Sequence, residues 1–308
     1  MSSSKRSWLK AAGGLFLAAL SLSPAWGSVP PQPGTINYIE GQSAIGGQAL
    51  GEKSVGSAEL AAGQSLSTQD GRVEILLTPG IFFRVDNHSS VRMISPGLAD
   101  TVLALEKGRA MVEVADIRPE NNVRVSEGAA STQLLKAGLY DFDADRGEVR
   151  IFIGKSETYA NDQQIKLTRE RLLKLNAVGK LKSAGFDTRP YEDDFFRWSA
   201  LRSGYLAEGS GDEARVYIGA GRGWYGLGWQ GPGWYWNPGF EVWTFLPAKG
   251  IFYSPFGWGF YSPTVVYRSP AFDRGYHGQS PYGFGDLQYP YGREFSWYLL
   301  QAFGKSRL

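Results

Sequence analysis

The chain has 308 residues, of which 43% are hydrophobic, 20% are charged and 14% are aromatic. It contains no cysteine and two histidines, which excludes disulfide frameworks, thiol chemistry and histidine-rich metal sites. The formal net charge of +2 depends on Lys5, Arg6 and Lys10, and without them it is −1. This near-neutral balance is not that of a nucleic-acid-binding protein, so we expect no nucleic-acid partner.

Residues 1–27 follow the pattern of a secretory signal peptide. The basic residues precede an uncharged run of 12 residues, Ala11 to Leu22, and Ala25-Trp26-Gly27 supplies small residues for cleavage. A spanning helix needs about 20 apolar residues, so this run is too short for one. We predict a periplasmic or secreted protein, exported by a cleaved signal peptide and without a transmembrane span after cleavage. An uncleaved N-terminal anchor is the alternative.

Residues 35–187 are predicted to form a β-domain, preceded by a proline-rich lead over 28–34. Short apolar stretches alternate with turn signals at a spacing of about 8–12 residues. The expected strands cover 72–77, 81–85, 91–94, 101–105, 110–114, 139–143, 148–153, 165–167 and 171–175. The pattern predicts an all-β fold, either an antiparallel sandwich or a solenoid of stacked hairpins. A domain of this length buries enough surface to stand alone.

One amphipathic helix is predicted over 188–208. Pro190 suits its first turn, and Gly209 and Gly211 are expected to end it. Arg202 interrupts an apolar stripe that we expect to dock on the β-domain. The residues of that stripe, at helical spacing, are Phe195, Trp198, Leu201, Tyr205 and Leu206.

The composition changes in the last third of the chain. Residues 219–292 contain 22 aromatic residues, 16 glycines and 8 prolines, whereas 28–187 contain 8 aromatic residues and no tryptophan. Because prolines oppose regular structure, we predict an irregular Gly/Pro/aromatic-rich region over 219–308. Exposed rings could stack on sugars, so the candidate glycan-binding residues are Trp224, Trp229, Trp234 and Trp236. The alternative is that these rings form an irregular core or a self-association surface.

The sequence contains no motif with a catalytic mechanism. Residues 221–226 fit G-x-G-x-x-G, but Gly and Trp repeats follow where a phosphate site needs a helix. Asp141, Asp143 and Asp145 begin like a calcium loop that lacks its glycine and its last glutamate, and we interpret them as a solvated strand face. We therefore predict no enzymatic activity, no catalytic residue, no metal and no cofactor.

Short motifs follow one another in a recognisable order between Thr35 and Leu181. They are Gly56-Ser57-Ala58-Glu59-Leu60 with Gly63-Gln64-Ser65-Leu66, Gly71-Arg72-Val73-Glu74-Ile75, Arg84-Val85-Asp86-Asn87-His88-Ser89-Ser90-Val91, Leu105-Glu106-Lys107-Gly108-Arg109-Ala110, and Leu139-Tyr140-Asp141-Phe142 with Val149-Arg150-Ile151-Phe152. This order resembles the FecR-type domain, the periplasmic part of iron-dicitrate sensor proteins and of many exported proteins. The resemblance implies an all-β fold, an envelope location and a protein-binding role.

Two features depart from the sensors of that family. Ala137-Gly138-Leu139 stands where the family has Gly-Thr, and four residues precede Lys5, so we expect no cytoplasmic part that binds a sigma factor. We therefore predict a non-enzymatic envelope protein that binds or scaffolds, with another envelope protein as its partner. The alternatives are binding of glycan or cell-wall polysaccharide through the C-terminal region, and envelope signalling related to the sensors.

Overall fold

The computed structural model of the protein describes residues 30–177, 179–219 and 231–268, so the expected signal peptide lies outside the described residues. The described residues form nineteen strands and two α-helices. The strands of the β-domain are β1 (Ile36–Ile45), β2 (Gln48–Ala49), β3 (Ser65–Leu76), β4 (Ile81–Val85), β5 (Ser90–Pro96), β6 (Asp100–Lys107), β7 (Arg109–Val114), β8 (Asn122–Glu127), β9 (Ala130–Leu134), β10 (Gly138–Asp143), β11 (Glu148–Ile153), β12 (Lys155–Ala160), β13 (Gln163–Thr168), β14 (Arg171–Lys174) and β15 (Ser183–Gly185).

The long strand β3 joins two halves of a single sheet. Its first three residues pair with β5 and its last four with β4, while β1 follows it along most of its length. One half continues from β4 through β7, β10, β11 and β14 to β15, and the other from β5 through β6, β8, β9 and β12 to β13. All these pairs are antiparallel except β6 with β8, which run parallel.

Two glycines let β1 and β3 bend together where the halves meet. Gly41 and Gly71 face each other across the pair, next to a register shift. Gly41 has φ 65°, and a Cβ there would lie 2.0 Å from the carbonyl oxygen of Asp70. Only glycine fits such a close approach of two backbones.

The two halves enclose one apolar core. Alternate residues of each strand point inward, among them Val73 and Ile75 of β3, Phe83 of β4 and Leu103 of β6, all fully buried. A single enclosed core agrees with the predicted all-β sandwich rather than with a solenoid of stacked hairpins. The nine expected strands are all present, and the strands that the sequence pattern did not predict are β1, β2, β8, β9, β12 and β15.

The rest of the described chain forms a second layer, here called the C-terminal layer. It consists of α1 (Asp194–Gly219), β16 (Gly233–Asn237), β17 (Val242–Leu246), β18 (Ile251–Tyr253), β19 (Gly259–Tyr261) and α2 (Pro263–Arg268). This layer covers the outer face of the half that contains β4, β7, β10 and β11, since Phe82 packs with Phe245 and Phe260, and Phe152 with Phe196. The expected docking of α1 on the β-domain is confirmed. No helix within the described ranges is both long and apolar enough to cross a membrane.

Helix α1 differs from its predicted form at both ends. It starts at Asp194, where the Asp193 carboxylate caps it by accepting the N–H of Phe196 at 3.1 Å. It continues through Gly209 and Gly211 to Gly219, so the prediction that these glycines end the helix is wrong. Both glycines face a neighbouring strand, and a Cβ on Gly209 would lie 3.5 Å from Asn237. Burial of Leu206 and Ala214 on either side of these glycines against the C-terminal layer outweighs the low helix propensity of glycine.

The C-terminal region is more regular than predicted where it is described. β16 pairs with β17 and β18 with β19, each as an antiparallel hairpin, and α2 follows. The repeated Tyr-Ser-Pro segments place Ser254 and Ser262 in buried positions beside these hairpins. The prolines lie outside the four strands, which explains how hairpins form in a proline-rich stretch.

Candidate functional site

A charged network, here called the Glu74 network, lies buried between the sheet and the C-terminal layer. Its members are Glu74 of β3, Arg84 of β4, Glu113 of β7 and Arg202 of α1, and none is more than 5% exposed. Arg84 Nε donates to Glu74 at 2.9 Å and Arg84 Nη1 to Glu113 at 2.7 Å. Arg202 Nη2 donates to the second oxygen of Glu74 at 3.0 Å. The two arginines balance the two glutamates, so the buried network is neutral.

Hydroxyl and amide groups complete the Glu74 network. The hydroxyls of Ser203 on α1 and Ser254 between β18 and β19 both donate to Glu113 Oε1, at 2.7 and 2.5 Å. Asn37 Nδ2 donates to Glu74 Oε1 at 3.0 Å. The network therefore ties β1, β3, β4 and β7 to α1 and to the second hairpin.

Burial and ion pairing act in opposite directions on the groups of this network. Burial alone raises the pKa of Glu74, but Arg202 and Arg84 outweigh it and hold that pKa below its usual value. Burial lowers the pKa of Arg84, and Glu113 with Glu74 more than compensates, so its pKa is raised. Both groups stay charged at neutral pH, and their role is to hold the layers together.

A second set of ion pairs, here called the Asp141 network, lies under the first turn of α1. Asp141 of β10 is fully buried and accepts from Arg109 Nε and from Arg150 Nε, both at 2.8 Å. Arg150 also donates to Glu148 at 2.7 Å. Arg109 reaches across to Asp193, the residue that caps α1.

The Asp141 network corrects the prediction of a solvated strand face. Asp141 and Asp143 are 0% and 8% exposed, because α1 covers the outer face of β10. Asp143 pairs with Arg150 at 3.3 Å, while Asp145 is exposed and accepts the backbone N–H of Gly108 at 3.0 Å. Burial raises the pKa of Asp141, but Arg109 and Arg150 outweigh it and the pKa lies below its usual value. These aspartates therefore serve as partners of arginines.

Glu127, at the end of β8, differs from the other buried acids. It is 7% exposed, and its Oε1 has no hydrogen-bond partner. Burial, followed by the nearby charges of Asp141 and Asp143, raises its pKa to about 8, while Arg150 opposes the shift. Because Arg150 is already bonded to three carboxylates, Glu127 is held in its neutral form at pH 7.

The sequence-predicted aromatic residues are only partly described. Trp224, Trp229 and the G-x-G-x-x-G segment lie outside the described residues. Trp234 is 9% exposed and packs 5.3 Å from the ring of Phe82. Trp236 is half-buried, with its ring 5.6 Å from that of Trp243. These two rings lie in the packed C-terminal layer, which fits the alternative that the rings form a core. Glycan binding by the four tryptophans stays a prediction.

The Glu74 network was not predicted from the sequence, although β4 and β7 carry a signal for it. Phe82 and Arg84 of β4, and Met111 and Glu113 of β7, occupy the face opposite the enclosed core, and large apolar residues there indicate a second layer. Arg202, which interrupts the apolar stripe of α1, is the partner that the buried Glu74 needs. Within the described ranges, no group of three or more His, Asp or Glu residues is arranged to hold a metal ion.

No protein-family model matches the chain, and no curated protein matches it in sequence. Two solved structures, each described as a "putative anti-sigma factor" from Parabacteroides distasonis ATCC 8503, are similar to it. One is 16% identical with a TM-score of 0.36, and the match covers 44% of this chain and 63% of that one. The other is 16% identical with a TM-score of 0.35, covering 40% and 59%. The chain thus spans less than two thirds of these structures, and a likeness this low transfers no function.

Proposed function

We propose that the protein is an exported, non-enzymatic binding or scaffolding protein of the cell envelope, and that its β-domain binds another envelope protein. The observation that carries the proposal is an asymmetry of the sheet. The C-terminal layer covers the outer face of one half, whereas the outer face of β5, β6, β8, β9, β12 and β13 is not covered by any described element. We call this second surface the open face.

The open face presents an exposed aromatic side chain. Strand register places a row of small side chains, Ala104, Ser126 and Ser131, next to Tyr159. Tyr159 is 46% exposed, and its hydroxyl accepts from Gln164 at 3.0 Å. An exposed tyrosine held by a neighbouring amide beside small residues offers a rigid ring of the kind enriched at protein interfaces.

The buried acids of the two ion-pair networks also support a binding role, because they take part in ion pairs. Glu74, Glu113 and Asp141 are each bonded to at least one arginine of the sheet, and Glu74 is also bonded to Arg202 of α1, which joins the two layers. An acid–base catalyst needs a proton exchanged near the working pH and access to a substrate. Export itself is supported by the sequence of residues 1–27.

The test is a pull-down from envelope extract with the full exported chain as bait. The open-face variant is Tyr159→Ala with Gln133→Ala, since Gln133 of β9 lies on the same face as Ser131 and opposite Glu157. The matched control is Gln48→Ala with Tyr253→Ala, which removes the same residue types elsewhere. We expect one protein to be retained by the wild type and the control and reduced at least tenfold by the open-face variant. Titration of that purified protein should reproduce the difference in Kd. Equal retention by both variants, or retention of polysaccharide instead of protein, would contradict the proposal.

A further inference from the structure

A run of basic residues follows the open face in the chain. Residues 166–182 contain six lysines and arginines and a single acid, Glu170, although the whole chain has a net charge of only +2. All six basic side chains are exposed. The positive charge of the β-domain is thus concentrated in the segment that runs from β13 to β15.

The strand register brings these charges together at one edge of the sheet. β14 pairs with β15 so that Leu173 faces Ser183, and Lys174 and Lys182 are the residues next to that pair. Lys180 lies two residues before Lys182, in the segment that leads into β15. Arg169 and Arg171 flank the turn that leads into β14. These five residues are here called the basic edge.

The acids near the basic edge do not neutralise it. Glu170 pairs with Arg169 at 3.1 Å, and Lys174 lies 3.7 Å from Glu148, which is already bonded to Arg150. In the described part of the chain, Arg171, Lys180 and Lys182 form no ion pair. Exposed charges interact over about 8–10 Å in physiological salt, so the cations of this edge act jointly.

We propose that the basic edge binds the phosphate-bearing headgroups of an anionic lipid surface. Clusters of four to eight lysines and arginines beside a membrane helix or on an amphipathic helix bind such surfaces, and the basic edge carries a comparable number of cations. The segment 166–185 contains no aromatic residue that could stack on a nucleic-acid base. The described β14 and β15 are short strands at a sheet edge, which suits contact with an extended charged surface. This inference does not depend on the protein partner of the open face.

The test is co-sedimentation of the exported chain with vesicles. One set contains phosphatidylglycerol and phosphatidylcholine in equal parts, and the other contains phosphatidylcholine alone. The edge variant is Lys174→Gln, Lys180→Gln and Lys182→Gln. The matched control is Lys53→Gln, Lys107→Gln and Lys249→Gln, which removes the same charge from exposed lysines elsewhere. All three proteins have the same N-terminus, so any contribution of that segment cancels.

We expect the wild type and the control to bind the anionic vesicles and not the neutral ones. Each lysine near the surface contributes about fivefold in affinity, so the edge variant should bind about 100-fold more weakly. Raising the salt from about 50 to 500 mM should release the wild type. Absence of binding to anionic vesicles, or equal losses in the edge variant and the control, would overturn the proposal. Binding to a DNA oligonucleotide without binding to the vesicles would also overturn it.

Discussion

The side-chain amide of Asn37 pairs with the backbone of Trp243 as a neighbouring strand would. The N–H of Trp243 donates to Asn37 Oδ1 at 2.8 Å, and Asn37 Nδ2 donates to the Trp243 carbonyl oxygen at 3.0 Å. Both residues are buried, and 206 positions separate them in the chain. One side chain of β1 thereby fixes the position of β17 on the sheet.

Replacing Asn37 with alanine should loosen this contact. The change leaves the N–H and the carbonyl of Trp243 without partners, at a cost of about 1–3 kcal/mol for each buried group left unsatisfied. The measurement is urea unfolding followed by tryptophan fluorescence, which reports on the C-terminal layer because residues 28–187 contain no tryptophan. The exposed control Asn87→Ala should change stability by less than about 0.5 kcal/mol. Equal midpoints for the two variants would show that the contact is not formed.

Arg202→Met should destabilise the protein more than the same substitution at an exposed arginine. It leaves the buried carboxylate of Glu74 with Arg84 as its one arginine partner, and breaking a buried pair costs about 3–5 kcal/mol. Lysine should not substitute, because the guanidinium of Arg202 also stacks 3.8 Å from the ring centre of Tyr38.

A double-mutant cycle with Glu74→Gln tests the same ion pair. Glu74→Gln combined with Arg202→Met should cost less than the sum of the two single changes, because no buried charge is then left facing an apolar side chain. Free energies of unfolding from urea titrations provide the four values of the cycle. Strict additivity would contradict the Glu74–Arg202 contact.

Glu127 should make stability depend on pH. Its pKa is about 8 in the folded chain against a reference value of 4.5, so the folded state binds this proton more tightly than the unfolded state does. The stabilising contribution is full below pH 4.5 and is lost as the pH rises through about 8. Glu127→Gln cannot lose a proton and should remove this dependence.

The pH prediction is checked by urea midpoints of the wild type and Glu127→Gln at pH 5, 7 and 9. We expect the two proteins to have similar free energies of unfolding at pH 5. As the pH rises, the glutamine variant should become more stable than the wild type, by roughly 3–5 kcal/mol at pH 9. Parallel pH profiles for the two proteins would mean that Glu127 is not buried beside Asp141 and Asp143.

Two glycines of α1 should respond in opposite directions to substitution. A Cβ at Gly211 meets no atom closer than 4.0 Å, so Gly211→Ala should stabilise the helix by about 0.5–1 kcal/mol. A Cβ at Gly204 would already lie 3.3 Å from the ring of Trp258, so Gly204→Val should displace the second hairpin and lower stability by about 1–3 kcal/mol. Thermal unfolding by circular dichroism distinguishes the two. A stabilising valine at Gly204 would contradict the packing of α1 on Trp258.

The strands of the β-domain could be predicted because their alternation and turns are local. Val73, Ile75 and Leu77 indicate one buried face, and 145–147 mark a hairpin, in agreement with β3, β10 and β11. The burial of the opposite face depends on residues more than a hundred positions away. Glu74 looks like an ordinary outward side chain until Arg202 is placed beside it.

The length of α1 illustrates the same limit of local patterns. Gly209 and Gly211 have the local signature of a helix end, and only the packing of Leu206 and Ala214 against the C-terminal layer shows why the helix continues. Which face of the sheet stays uncovered depends on how the two layers pack, and no single strand shows this in its sequence. Tyr159, on the open face, was therefore not predicted as a binding residue. Trp234 was predicted as one, but it packs inside the C-terminal layer.

The β-domain and the C-terminal layer should form one cooperative unit, which leaves the open face as the free surface of the sheet. The decisive measurement is hydrogen exchange by mass spectrometry on the full chain. Amides of β4 and β7 should exchange with the same opening free energy as those of α1 and β17, since the buried networks join them. Exchange of α1 and β17 that is faster by orders of magnitude, while β4 and β7 stay protected, would contradict the claim.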